Sequence, residues 1–145
     1  MLQLLERTEE LLKGIEKQKL HYCLCHADIH AGNIFISENA EWYIVDWDTL
    51  IFAPKERDLM FIGAGVAGKW NTKEEENYFY YGYGGRECVD QKIIDYYRCA
   101  RIIEDIVEFY DLFFKEGTQE KNQRTILEIV GSMFDERGVW DMAFR

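Results

Sequence analysis

No apolar run in this 145-residue chain approaches the ~20 residues that a membrane-spanning helix requires, so no transmembrane helix is expected. The N-terminus, MLQLLERTEELLKGIEKQK, lacks the apolar centre and small-residue cleavage site of a secretory signal, and a cytoplasmic location is expected. Basic residues are scarce, with 17 Lys and Arg against 27 Asp and Glu and a net charge of −10. Such a chain offers no basic stripe to displace counterions from nucleic acid. A cleft lined by carboxylates concentrates cations instead, so a cationic small molecule is the compatible partner. The four cysteines (Cys23, Cys25, Cys88, Cys99) have no CxxC spacing and read as reduced, buried thiols. Proline occurs once, at Pro54, and no repeat, low-complexity segment or linker divides the chain.

What is present is enough for one domain with a real core. The hydrophobic share of 48% and aromatic share of 15% exclude disorder. Residues 2–18 carry a helical apolar repeat at Leu4, Leu5, Leu11, Leu12 and Ile15. HYCLCH (21–26) reads as a short buried strand, and NIFI (33–36) and EWYIVD (41–46) read as a hairpin around the polar turn SENA. Pro54 marks a loop, and RDLMFIGAGV a buried helix with Asp58 near its start, broken by GAGVAGKW. Further helices are expected over 72–85, from Asp90 to about Lys115, and over about 119–136. The fold class is α+β, mainly helical, with a small β-hairpin at one edge.

Two motifs flank that hairpin. HADIHAGN (26–33) places Asp28 in a loop after one strand and Asn33 at the start of the next, and IVDWD ends the partner strand at Asp46. Paired antiparallel strands bring Asn33 and Asp46 to one rim. An amide oxygen and a carboxylate suit Mg²⁺, a hard cation that takes phosphates and waters as its other ligands. Asp28 is then free to accept a hydroxyl proton, the division of labour used in phosphoryl transfer. Polar residues also gather at hairpin ends because turns favour them. A zinc site built from Cys23, Cys25, His26, Asp28 and His30 would draw every ligand from one short stretch, unlike the two separated pairs usual for zinc. Asp48 either faces substrate or caps its loop.

HADIHAGNIF and YIVDWD resemble the catalytic loop and metal-binding Asp of the aminoglycoside phosphotransferase family, and APKERDLMFIG is similar to its spectinomycin phosphotransferase branch. The resemblance covers roughly residues 20–110 and implies the larger, C-terminal lobe of a protein-kinase-like fold. By that resemblance Asp28 is the catalytic base, His26 braces it, and Asn33 and Asp46 hold Mg²⁺ and thereby the nucleotide. Asp58 pins the segment after the metal Asp, and His30 occupies a position often filled by His. The implied reaction is ATP-dependent (or GTP-dependent) phosphorylation of an antibiotic hydroxyl, conferring resistance. Glu104, Asp105 and Glu108 are candidate partners for a cationic aminocyclitol. Nothing before His21 supplies the Gly-rich loop and strand lysine of the smaller lobe, so residues 1–145 are expected to be the larger lobe alone, with the N-terminal nucleotide-binding lobe absent. A second reading is a non-catalytic binding lobe or fragment, with a homodimer formed through the surface left by the missing lobe. A third keeps the kinase and changes the substrate to choline, homoserine or a similar alcohol.

Overall fold

The computed structural model describes every residue except Gly65, Ala67, Gly68, Trp70, Asn71, Glu116, Thr118, Arg137 and Arg145. Half of the expected helix-breaking run GAGVAGKW therefore lies outside the described residues; within it, Val66 and Lys69 form an isolated antiparallel bridge.

Helix α1 (Leu2–Ile15) turns Leu4, Leu11 and Ile15 inward at the spacing its sequence repeat predicts. It packs along α3 (Gln91–Phe114), a 24-residue helix started by Asp90, whose carboxylate accepts the Lys92 amide. The main core joins Leu4 and Leu11 to Cys99 and Ile102 of α3, and closes with Met133 and Ala143. Full burial of side chains such as Leu4 and Ile102 contributes ~1.5–3 kcal/mol each. Ala143 belongs to α5 (Val139–Ala143), which follows α4 (Glu120–Ser132). The sequence pattern gives no sign of α5. Helix α2 (Lys73–Tyr83) begins with a capping box between Thr72 and Glu75 and stops at Gly84, whose φ of 103° suits glycine. Its Tyr80 joins a second core with Leu59, Ile62 and Ile94.

The strands form two separate antiparallel pairs. β1 (Tyr22–Cys25) pairs with β4 (Ile51–Pro54), Tyr22 opposite Pro54 and Cys25 opposite Ile51. β2 (Ile34–Ile36) and β3 (Trp42–Ile44) make the hairpin, Ile34 opposite Ile44. Three expectations are corrected here. Pro54 ends a strand rather than standing in a loop; at a strand terminus its missing N–H costs no ladder bond. β1 is not buried: only Cys25 is, and Cys23 and Cys88 are exposed free thiols beside the buried Cys25 and Cys99. The segment after Pro54 is a 3₁₀ turn (Lys55–Leu59) leading into further turns, not an α-helix. Buried Arg98 of α3 donates to the carbonyls of Met60 (2.9 Å) and Ile62 (2.7 Å), satisfying from outside groups that a helix would satisfy from within. Among the described residues no helix is long and apolar enough to cross a membrane.

Both strand pairs leave apolar side chains in solvent. Tyr22, Leu24 and Phe52 are exposed on one pair, and Phe35, Ile36, Tyr43 and Trp42 (70% exposed) on the other. This is a much larger apolar surface than scattered single residues make.

Candidate active site

The loop between β1 and β2 carries the site, and it is held from three sides. Ala27 has φ of 68°, a left-handed conformation costing an L-residue ~1–2 kcal/mol. Asp58 supports it by accepting the amides of His26 (3.1 Å) and Ala27 (2.6 Å) on its two carboxylate oxygens. Asp58, itself in the segment after Asp46, thus ties that segment to the loop before Asp28, and it serves as no helix-capping group. The Thr49 hydroxyl donates to the His26 carbonyl at 2.7 Å. Finally, the His26 ring bridges the two motifs. Its Nδ1 accepts the Asp28 amide (3.3 Å), which requires the Nε2–H tautomer, and Nε2 donates to the Val45 carbonyl (2.9 Å) beside Asp46. The Trp47 ring packs on its edge at 4.8 Å. His26 is buried and both its nitrogens are occupied, so it aligns backbone rather than facing a ligand.

Asn33 is buried at the start of β2. Its Nδ2 donates to the Asp28 carbonyl (2.9 Å) and to Asp28 Oδ2 (3.3 Å), which leaves its Oδ1 without a protein partner among the described residues. The Val45 amide donates to the Asn33 carbonyl at 3.0 Å, so Asp46, the next residue, stands at the same hairpin end as Asn33. Asp46 is exposed, has φ of 66°, a conformation Asp tolerates better than most residues, and engages no other described residue. One amide oxygen and one carboxylate, both unspent and on adjacent strand ends, form a donor set that could hold Mg²⁺ together with phosphate and water. Among the described residues no three His, Cys, Asp or Glu side chains converge as a metal site. The Cys25 thiol, which a zinc site would need as thiolate, is pushed up to about 12 by burial and by the neighbouring Asp58 charge.

His30 caps the short 3₁₀ turn Ala31–Asn33, its Nδ1 accepting the Gly32 amide at 3.0 Å. A Cβ on Gly32 would stand 2.8 Å from His30 Cε1, which explains the glycine there. His30 Nε2 then faces Asp28 Oδ2 at 3.5 Å. His30 also lines a cavity of about 170 Å³, together with Phe61, Arg101, Asp105, Asp135 and Glu136. Three carboxylates against one guanidinium give it a negative balance. Burial raises the pKa of Asp105, with Arg101 opposing the shift.

Of the candidate substrate residues, the structure brings His30 and Asp105 to this cavity. Glu104 points away, 3.5 Å from Arg57, and Glu108 and Asp48 are exposed outside the lining. Sequence reasoning missed Arg101 as a site residue. Its Nη1 donates to Asp28 Oδ1 at 2.9 Å and its Nε to Asp105 Oδ1 at 2.6 Å.

A strand–loop–hairpin unit of this kind, set against a mainly helical body, is that of the larger lobe of a kinase-like phosphotransferase. The family model for the phosphotransferase enzyme family (APH) matches residues 1–99, and the chain belongs to that family. Two solved structures of spectinomycin phosphotransferase, APH(9)-Ia, are similar over nearly the whole chain. The complex with ADP and spectinomycin has a TM-score of 0.84 at 42% identity over 98% of this chain. The AMP-bound complex has a TM-score of 0.80 at 42% identity over 97%. The chain spans 43% of the length of each of those two. No curated protein sequence matches it.

Proposed function

We propose that the chain is the larger lobe of a kinase that transfers the terminal phosphoryl group of ATP to a hydroxyl of an aminocyclitol antibiotic, conferring resistance in the cytoplasm where ATP is available. The observation that carries this reading is the 42% identity to a spectinomycin phosphotransferase over 98% of the chain, a span that includes both motifs. Asp28 orients the substrate hydroxyl and accepts its proton. Asn33 Oδ1 and the Asp46 carboxylate hold Mg²⁺, which when bound neutralises charge on the phosphates. His26 and Asp58 act on Asp28 only through the backbone they align. The negative cavity, with Asp105, Asp135 and Glu136, receives the cationic part of the substrate, each sheltered charge-assisted hydrogen bond being worth ~1.5–3 kcal/mol.

In this reading the exposed apolar faces of the strand pairs receive a second lobe that closes over the nucleotide, rather than a second copy of the chain. The ADP and AMP complexes of the solved relatives favour ATP over GTP as donor. The test is a transfer assay on the full-length protein with γ-labelled ATP, Mg²⁺ and a panel of spectinomycin, aminoglycosides, choline and homoserine. Label on spectinomycin or another cationic antibiotic is expected; label on choline or homoserine alone would move the substrate class, and label on none would end the kinase reading.

A further inference from the structure

The proposed base is gripped by a side chain from outside both motifs. Asp28 Oδ1 accepts from Arg101 Nη1 at 2.9 Å across 73 residues of sequence, and Oδ2 accepts from Asn33 Nδ2 at 3.3 Å. With one oxygen taken from each side, the carboxylate has lost its freedom to rotate. Arg101 is itself constrained: its Nε donates to Asp105 at 2.6 Å, one turn further along α3, and its guanidinium carbon lies 5.5 Å from the centre of the Phe61 ring. Two carboxylates and an aromatic face fix the plane of a group whose donors have a rigid fork geometry. Arg101 and Asp105 also line the cavity, and both lie beyond residue 99, where the family-model match ends.

We propose that Arg101, which lines the cavity, is the positioning residue of the Asp28 carboxylate, held in turn by Asp105, so that α3 sets the orientation of the base. The proposal rests on the phosphotransfer reading of Asp28. A surface pair between Arg101 and Asp105 alone would stiffen α3 and nothing more. The additional bond to Asp28 couples the helix that walls the cavity to the loop that does the chemistry. Lysine cannot replace it, because one ammonium on a flexible stem does not bridge two carboxylates in a fixed plane.

The test uses the full-length protein. Arg101→Ala is expected to lower kcat about 100-fold, the size of effect that small misplacement of a reacting group produces, with KM for Mg-ATP unchanged. Added guanidinium ion should restore kcat several-fold in Arg101→Ala, while equal ionic strength from NaCl should not. Arg101→Lys should remain low, and Asp105→Asn should lose less than Arg101→Ala. Near-wild-type kcat in Arg101→Ala, or a loss that guanidinium leaves untouched, overturns the proposal. A second arm needs no turnover: NMR of the Arg101 guanidinium. Separate Nη signals in the wild type that merge in Asp28→Asn support the grip on Asp28; a single averaged wild-type signal overturns it. If the unaltered protein transfers no phosphate at all, the kinase reading fails on its own, and this second arm still decides whether Arg101 orients Asp28.

Discussion

Removing the Asp58 carboxylate should loosen the loop that carries Asp28, and the size of the effect follows from two bonds. Asp58 accepts the amides of His26 at 3.1 Å and Ala27 at 2.6 Å. A hydrogen bond to a charged group contributes ~1.5–3 kcal/mol, so Asp58→Ala forfeits roughly 3–6 kcal/mol in gross terms. Part returns, because Ala27 can then leave its left-handed conformation and recover ~1–2 kcal/mol. Asp58 is only half-buried, and water can reach the freed amides, which holds the net loss to roughly 2–4 kcal/mol. With a urea dependence of about 2 kcal/mol per molar, the unfolding midpoint should fall by about 1–2 M. Asp58→Asn keeps one acceptor and should lose about half as much. Hydrogen exchange locates the effect: the amides of His26 and Ala27 should lose protection before those of the helical core. A midpoint for Asp58→Ala within about 0.3 M of wild type, or unchanged protection at these two amides, would refute the reasoning.

Glu76 gives the chain a pH dependence of known sign. Burial pushes its carboxyl pKa up, but the hydrogen bonds from Lys73 (3.0 Å) and Arg86 (2.9 Å) outweigh it and leave the pKa below the ordinary value. Its stabilising contribution is therefore complete above the unfolded-chain pKa of ~4.3 and is lost as pH falls through the lower folded value. Thermal melts from neutral pH downward should show a shallower acid limb in Glu76→Gln than in wild type, and parallel limbs would contradict this. Replacing Asp46 by Ala should abolish the Mg²⁺ dependence of nucleotide binding in a calorimetric titration, at the cost of the small loss of stability that Ala incurs at a φ of 66°; an unchanged Mg²⁺ dependence would contradict its assignment to the metal site.

Where local pattern and final structure agree, the agreement has a local cause. The hairpin is legible because NIFI and EWYIVD flank the polar turn SENA, and α2 because the aromatic run of TKEEENYFYYGYGG ends at glycines. The helices α1, α3 and α4 follow their apolar repeats to within a few residues. The misses are all non-local. Strand β4 is four residues ending in proline, and only its pairing with β1, which sets Cys25 opposite Ile51 and Tyr22 opposite Pro54, makes it a strand. The run after Pro54 is apolar enough for a buried helix, yet Arg98 takes up the carbonyls of Met60 and Ile62 and permits turns instead.

The site divides the same way. Asp28, Asn33 and Asp46 could be singled out because their motifs lie on either side of one hairpin, so spacing alone predicts a common rim. Glu104, Asp105 and Glu108 form an acidic group in sequence, but helix geometry sends only Asp105 into the cavity. Arg101 reads in sequence as an ordinary helix pair with Asp105. Its bond to Asp28 spans 73 residues, and no pattern within α3 announces it.

The measurement that bears most directly on the account is phosphate transfer to spectinomycin by full-length wild type and Asp28→Asn side by side. The substitution keeps the side chain's shape but turns one of its two acceptor oxygens, those facing Asn33 and Arg101, into an NH2 donor, which removes the proton acceptor and loosens the hold of Arg101. The account predicts a folded variant with nucleotide binding intact and kcat lowered by about 10²–10⁴-fold, the usual contribution of a positioned base. Transfer at the wild-type rate would contradict it.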